Sequence, residues 1–246
     1  MSDGFGTPTR RESVDAVILG AMDEEVAPFL ELAAESGSVP EPHDVGRARL
    51  WRLAIRGRDV LLVRSGIGMV NAAAAAVVAL HEVAPAAILS TGSAGGLGGK
   101  CHVGDVVIGA SCTYSAADAR AFGYALGQVP GMPVDYPGDA DLLARACRAT
   151  LGDIIDGATV VTGQVVSGDV FVDGERLPPL RAAFPDAAAT DMESAAIAQV
   201  AFSFGVPFLT ARGISDLCGP DAGTEHPLTV EAVSAVAART VLTALP

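Results

Sequence analysis

Short apolar runs alternate with longer amphipathic segments along most of the chain. Apolar runs bounded by glycine or polar residues predict strands, and they lie at 14–20, 47–55, 59–64, 86–89, 103–110, 158–166, 187–190 and 207–212. Segments with apolar residues three or four positions apart predict helices, and they lie at 23–36, 72–83, 139–151, 178–183, 194–204 and 228–245. Strands that alternate with helices are typical of an α/β domain with a parallel-rich sheet.

The stretch 90–97 (STGSAGGL) directly follows the apolar run 86–89 and consists almost entirely of small residues. We interpret it as a glycine-rich turn that carries the hydroxyl of Ser93. Backbone N–H groups in such a turn suit an oxyanion, a hydroxyl or a phosphate. A turn that only packs against a neighbouring element is the alternative at this point.

Polar side chains follow several of the predicted strands. Because the carboxyl ends of parallel strands meet at one edge of a sheet, we expect these side chains to share one crevice. Each residue alone has a simpler explanation, since acids favour the first turn of a helix and Arg212 can pair with Asp216. The candidates are Glu25, Ser93, Glu193, Arg212 and Asp216.

Two glycine motifs come close to known fingerprints without matching them. In 65–71 (SGIGMVN), Asn71 stands where a dinucleotide-binding loop has its third glycine, and no acid ends the next strand. Thr91 stands where the nucleophile elbow GxSxG has its first glycine. The sequence therefore favours neither an NAD site nor a serine hydrolase.

Composition narrows the class of partner. The chain has 246 residues and a net charge of −13, and Lys100 is its one lysine. These values fit one domain and argue against nucleic acid or an anionic membrane as partner. No signal peptide or membrane-spanning segment is predicted, and residues 1–13 are expected to form a disordered tail.

The cysteines and histidines are scattered. The four cysteines form no CxxC pair, which predicts thiols in a reducing cytoplasm. No spacing among the histidines or cysteines is typical of a metal site.

Seven short motifs appear in a fixed order, and together they identify a family resemblance. They are 20–26 (GAMDEEV), 65–68 (SGIG), 91–96 (TGSAGG), 121–124 (AFGY), 167–169 (SGD), 192–193 (ME) and 212–216 (RGISD). From about residue 14 to 245 the chain resembles the 5'-methylthioadenosine/S-adenosylhomocysteine nucleosidases of the purine nucleoside phosphorylase-like superfamily. The resemblance implies a three-layer α/β/α domain at 14–246 with a mixed, mostly parallel sheet. It also implies a homodimer that needs no cofactor.

The implied reaction is hydrolysis of the bond between adenine and a 5'-thio-substituted ribose. Such a bond breaks through an oxocarbenium-like sugar, which requires a proton for the base and activation of the water. The resemblance implies that Asp216 protonates adenine N7, Glu25 deprotonates the water and Glu193 binds the ribose hydroxyls. The remaining implied site residues are Ser93 and Arg212 near the water, Met192 against the ribose, Ile67 on the 5' side, Phe171 and Val172 at adenine, and Ser215; Phe122 and Tyr124 belong to a loop that reaches the other subunit's pocket.

Three alternatives remain open. Phosphorolysis is the closest, but phosphorylases with this glycine-rich stretch carry an arginine at the position of Ser90, and three acids at 23–25 repel phosphate. A futalosine-type nucleoside hydrolase is the second, because Asp191 and the segment 218–230 depart from the family pattern and Leu228 or Val230 replaces a phenylalanine near the 5' group. A nucleoside-binding protein without activity is the third. Such a protein is expected to have lost Glu25, Glu193 or Asp216, whereas this chain has all three.

Overall fold

The computed structural model describes residues 11–97, 99–219 and 228–246. Its strands are β1 (Glu12–Val14), β2 (Ala16–Gly20), β3 (His43–Val45), β4 (Ala48–Ile55), β5 (Arg58–Arg64), β6 (Val83–Pro85), β7 (Ile88–Gly96), β8 (Val106–Tyr114), β9 (Tyr136–Pro137), β10 (Val160–Ser167), β11 (Ala187–Asp191) and β12 (Phe208–Asp216). Its α-helices are α1 (Asp23–Glu35), α2 (Met69–Glu82), α3 (Ala140–Ala146), α4 (Leu177–Ala183), α5 (Ser194–Phe204) and α6 (Val230–Ala244), with a 3-10 turn at Arg120–Phe122.

A mixed sheet organises these elements, as the sequence predicts. Its strand order is β11-β10-β8-β12-β7-β2-β5-β4-β3, and β9 pairs with β8. The pairs β10–β11, β8–β10, β7–β12, β2–β7 and β2–β5 are parallel, whereas β3, β4 and β5 form antiparallel hairpins. The end of β11 also pairs with the end of β7, so the strands between them close partly into a barrel.

Alternating side chains of the buried strands build a core on each face of the sheet. Val17 and Leu19 pack in a cluster with apolar residues of α2 and α5. Ile18 points to the other face, where it packs with Phe29 of α1 and Val236 of α6. Because strand side chains alternate between faces, the fully apolar β2 requires helices on both sides. This arrangement confirms the three-layer α/β/α prediction.

The glycine-rich stretch 90–97 is a strand through Gly96 and not the turn that its composition predicts. Residues of β7 from Ile88 to Gly95 pair with β12, and the last two residues of β7 pair with β11. Small side chains are what this position requires: a Cβ added at Gly95 would lie 2.4 Å from the sulfur of Cys218. Pairing with strands distant in sequence therefore overrides the local preference of glycine for turns.

Several boundaries differ from the predicted ones. Strand β1 begins inside the predicted tail, because it pairs in parallel with β6 and the Arg11 guanidinium donates to the carbonyl of Leu80; residues 1–10 of that tail lie outside the described residues. Helix α3 ends at Ala146 and not near residue 151. Within the described ranges, every helix is too short or too polar to span a lipid bilayer.

Candidate active site

A cavity of about 240 Å³ opens where β2, β7, β11 and β12 end. It brings together most of the residues that the sequence singles out, although they come from distant parts of the chain. Topology explains this, because the ends of these neighbouring strands meet at one edge of the sheet. The predicted residues that line the cavity are Glu25, Ile67, Ser93, Phe171, Val172, Met192, Glu193, Ser215 and Asp216.

Glu25 is held rigidly at the beginning of α1. Its Oε2 accepts hydrogen bonds from the backbone N–H groups of Ala21 (2.7 Å) and Met22 (3.2 Å). Its Oε1 accepts from the backbone N–H (2.9 Å) and the hydroxyl (3.2 Å) of Ser93. The residue is 2 % exposed, and these donors fix the orientation of its carboxyl group. A buried carboxyl group that is fixed beside an open cavity is well placed to take part in proton transfer.

Arg212 lies behind the cavity wall, where it is fully buried. Its Nε pairs with Asp191 Oδ2 at 2.8 Å, and its Nη2 donates to the hydroxyl of Ser90 at 2.8 Å. Its Nη1 lies 3.6 Å from Glu193 Oε2. Among the described residues this Nη1 has no hydrogen-bond partner. An unpartnered buried donor beside a cavity is well placed to bind a small molecule such as water.

Gly92 allows the carboxylate of Glu25 and the guanidinium of Arg212 to approach each other. The backbone at Gly92 has φ of 146°, a conformation that side-chain-bearing residues rarely adopt. An added Cβ would lie 2.4 Å from Glu25 Oε1 and 2.6 Å from Arg212 Nη1. Any other residue at position 92 would therefore displace both charged groups.

Glu193 also lines the cavity. Its Oε1 accepts a hydrogen bond of 2.9 Å from the backbone N–H of Gly68, at the beginning of α2. Burial raises the pKa of Glu193 to about 7, an effect that the charges of Asp191 and Glu25 reinforce and that Arg212 and the Gly68 N–H oppose. This carboxyl group therefore titrates near neutral pH.

Asp216 stands at the end of β12 and is oriented by two donors. The hydroxyl of Ser215 donates to Asp216 Oδ2 at 2.9 Å, and the backbone N–H of Cys218 donates to Oδ1 at 2.7 Å. Burial and the adjacent Asp216 charge raise the pKa of the Cys218 thiol to about 12, so this thiol stays protonated near neutral pH. These two bonds fix the orientation of a carboxyl group in the wall of the cavity.

The segment after β10 supplies the aromatic wall. Asp169 Oδ1 accepts a hydrogen bond of 2.8 Å from the backbone N–H of Met69, which attaches this segment to the beginning of α2. Phe171 and Ile67 are each 52 % exposed, although both line the cavity. An exposed aromatic face at the mouth of a cavity is suited to stack on a flat ligand.

Comparison with known proteins agrees with this geometry. Residues 15–245 match the family model of the phosphorylase superfamily. A 5'-methylthioadenosine/S-adenosylhomocysteine nucleosidase of Anoxybacillus flavithermus is 40 % identical over 212 residues, which cover 85 % of this chain and 88 % of that protein. The chain belongs to the 5'-methylthioadenosine/S-adenosylhomocysteine nucleosidase family.

Solved structures of this nucleosidase family share the fold. The nucleosidase of Neisseria meningitidis in complex with methylthio-immucillin-A superposes with a TM-score of 0.86 at 35 % identity and covers 95 % of this chain and 98 % of its own. The futalosine hydrolase of Helicobacter pylori superposes with a TM-score of 0.80 at 26 % identity and covers 95 % and 97 %. The fold is therefore shared by a protein named as a methylthioadenosine/adenosylhomocysteine nucleosidase and by one named as a futalosine hydrolase.

Three residues that the nucleosidase resemblance assigns to the site do not line the cavity: Arg212, which lies behind its wall, and the more distant Phe122 and Tyr124. Phe122 is 84 % exposed, on the 3-10 turn, and neither Phe122 nor Tyr124 lines the cavity of its own chain. Their assignment to the pocket of a second subunit stays a prediction.

Other residues near the site were not singled out from the sequence. Asp191 appears there only as a departure from the nucleosidase pattern, yet it is the closest counterion of Arg212. Its position at the end of a buried strand was a usable signal. Cys218 and the backbone of Gly68 carry no comparable signal, because the first is an isolated thiol and the second contributes only an N–H group. The further cavity-lining residues are Ala21, Met22, Ala94, Gly95, Val170, Thr190, Asp191, Cys218 and Val230.

Proposed function

We propose that this protein hydrolyses the N-glycosidic bond of 5'-methylthioadenosine and S-adenosylhomocysteine, releasing adenine and the free 5-substituted ribose. The observation that carries the proposal is the convergence of Glu25, Glu193 and Asp216, all buried, on one cavity. Nucleosidases that are about 40 % identical to the chain carry these two substrates in their names.

Asp216 is the proposed general acid. A proton delivered to adenine N7 lets the base leave as a neutral molecule instead of an anion. The bonds from Ser215 and from the Cys218 N–H hold the carboxyl group in one orientation. The side chain of Phe171 stacks on the adenine ring and the backbone of Val172 reads its edge, so that N7 faces the acid.

Glu25 is the proposed general base. The nucleophilic water binds between its carboxylate, the hydroxyl of Ser93 and the unpartnered Nη1 of Arg212. This water donates one proton to Glu25 and directs a lone pair at the anomeric carbon. Because Glu25 is already fixed by four hydrogen bonds, little reorganisation accompanies the proton transfer.

Glu193 is the proposed partner of the ribose 2'- and 3'-hydroxyls, with Met192 against the sugar and Ile67 on its 5' side. The transition state carries positive charge on the ribose ring, and an ionised carboxylate beside the ring stabilises that charge. Arg212 lies between Glu25 and Glu193 and reduces their mutual repulsion.

Water is favoured over phosphate as the nucleophile. Glu25, Asp191 and Glu193 surround the single guanidinium of Arg212, which leaves this region negatively charged when all are ionised. A phosphate dianion would be repelled by that charge. Ser90 supplies no positive charge that could bind phosphate, because its side chain is a neutral hydroxyl, which accepts a hydrogen bond from Arg212.

We propose that the protein is a cytoplasmic homodimer. In this dimer, Phe122 of each subunit reaches the cavity of the other. Phe122 is 84 % exposed and lies in the segment between β8 and β9. Aromatic side chains are enriched in protein–protein interfaces, which suits Phe122 to this role.

Product analysis of purified protein tests the function. In phosphate-free buffer we expect equimolar adenine and 5-methylthioribose from methylthioadenosine, whereas a strict phosphate requirement would overturn hydrolysis. Glu25→Gln and Asp216→Asn are each expected to lower kcat by about two orders of magnitude or more while circular dichroism stays unchanged. Near-normal turnover in both variants would contradict the assigned roles. A panel with 5'-deoxyadenosine, aminodeoxyfutalosine and inosine then separates this activity from the futalosine alternative.

A further inference from the structure

A second cavity of about 440 Å³ lies next to the first. The two cavities share the residues Ala21, Met22 and Ile67. Ile67 stands where the 5' side of a bound nucleoside is expected, so a substituent at the 5' carbon points towards the second cavity. The other residues that line it are Asp23, Glu24, Arg47, Arg64, Gly66 and Asn71.

The charges in this second cavity are mixed, and only part of them is neutralised internally. Arg64 Nη1 pairs with both carboxylate oxygens of Asp23, at 2.9 and 3.0 Å. Arg47 lies on the turn between β3 and β4 and is exposed. Neither Arg47 nor Glu24 forms an ion pair with any residue of the described ranges. The cavity therefore offers one cation and one anion that are uncommitted.

A pair of opposite, uncommitted charges in one cavity is complementary to a zwitterion. A phosphate or a dicarboxylate would meet Asp23 and Glu24 as well as the arginines, and an apolar chain would desolvate all four charges without compensation. An amino acid group satisfies both requirements, because its carboxylate suits the planar guanidinium and its ammonium suits a carboxylate.

We propose that this cavity binds the amino acid end of the homocysteine substituent of S-adenosylhomocysteine. Arg47 binds its α-carboxylate and Glu24 binds its α-ammonium group. The inference rests on the proposed function, since it requires an adenosine that carries this substituent at the 5' carbon. The methylthio group of methylthioadenosine is too short to reach these charges and leaves the second cavity to water.

Steady-state kinetics with three substrates test this subsite. The substrates are S-adenosylhomocysteine, methylthioadenosine and 5'-butylthioadenosine, whose uncharged chain occupies similar space. The variants are Arg47→Gln and Glu24→Gln, and Arg148→Gln is the matched control because Arg148 is exposed and lines neither cavity. All three substitutions remove an exposed charge and leave a polar side chain in its place, so the fold is expected to be retained.

In Arg47→Gln and Glu24→Gln we expect kcat/KM for S-adenosylhomocysteine to fall by a factor of about three to ten relative to that for the two uncharged substrates, mostly through KM. In Arg148→Gln we expect the ratio of kcat/KM for S-adenosylhomocysteine to kcat/KM for each uncharged substrate to stay as in the wild type. If all ratios stay constant in active enzymes, the subsite is refuted and the homocysteine end binds elsewhere. If the wild-type protein releases adenine from none of the three substrates, the proposed function itself fails.

Discussion

At the scale of single residues, the buried guanidinium of Arg212 holds the site together. It pairs with Asp191 at 2.8 Å, donates to Ser90 and lies 3.6 Å from Glu193. A buried charge is costly unless it is paired, so removing either partner leaves the other uncompensated. This explains why acids and the arginine stand together at strand ends where solvent cannot screen them.

The raised pKa of Glu193 predicts a pH-dependent stability. Folded Glu193 keeps its proton up to about pH 7, whereas the unfolded carboxyl group, with an ordinary pKa of 4.5, releases it earlier. The folded state therefore binds more protons between these values, and the free energy of unfolding decreases as pH rises through this window. We expect wild-type protein to lose on the order of 2 kcal/mol relative to Glu193→Gln between pH 5 and pH 8.

Urea unfolding of both proteins at the two pH values measures this difference. Glu193→Gln is the reference for the wild type, because the two proteins share every other titrating group. Parallel pH dependence in the two proteins would show that Glu193 has an ordinary pKa in the folded state. Loss of turnover in the variant is expected for a separate reason, since an amide cannot stabilise a sugar cation as a carboxylate does.

The sequence predicts the acids of the site more completely than their surroundings. Glu25, Glu193 and Asp216 follow apolar strands, and parallel strands bring such positions together. The role of Asp191 depends on which side chain Arg212 meets after folding, and the simple expectation of an Arg212–Asp216 pair is not what the structure shows. Partners chosen by tertiary packing cannot be inferred from spacing along the chain.

At the scale of elements, β7 shows the same limit for secondary structure. Its glycines predict a turn, but strands on both sides provide hydrogen bonds that a turn would lose. The helices were easier to predict, because amphipathic periodicity and the Asp139 cap of α3 are local signals. Their ends were less certain, since α3 stops at Ala146 although Leu151 beyond it is still buried in the same core cluster.

The contact between α6 and β12 predicts a strong effect of one methyl group. A Cβ added at Gly213 would lie 2.1 Å from the carbonyl oxygen of Val233 in α6, so the helix backbone must move. We expect Gly213→Ala to lower the free energy of unfolding by about 2 kcal/mol or more, and to lower turnover because Arg212 and Asp216 lie on the same strand.

Urea midpoints and adenine release measure both effects. Gly152→Ala is the matched control, because an added Cβ there meets nothing within 4 Å. The control is expected to stay within about 0.5 kcal/mol of wild type. Equal stability of the two variants would mean that α6 adjusts freely against the sheet.

At the scale of the whole molecule, the proposed dimer predicts linked changes in mass and activity. We expect light scattering to give twice the mass of the chain. Phe122→Asp is expected to shift the protein towards monomer and to raise KM for methylthioadenosine about tenfold, because the partner's cavity loses an apolar wall. Val39→Asp, at a site 36 % exposed in the segment between α1 and β3, is the control. A monomeric wild-type protein at micromolar concentration would refute the dimer.

The position of β12 has a consequence for biosynthesis. It is the last described strand in the chain, yet it lies between β7 and β8, which are made much earlier. A nascent chain that lacks β12 must keep the adjoining edges of β7 and β8 unpaired, and unpaired edges invite aggregation. Asp216 arrives on this same strand, so the proposed general acid and the closure of the sheet are acquired in one late step. A translational pause before residue 208 would therefore prolong a state that is both inactive and prone to misassembly.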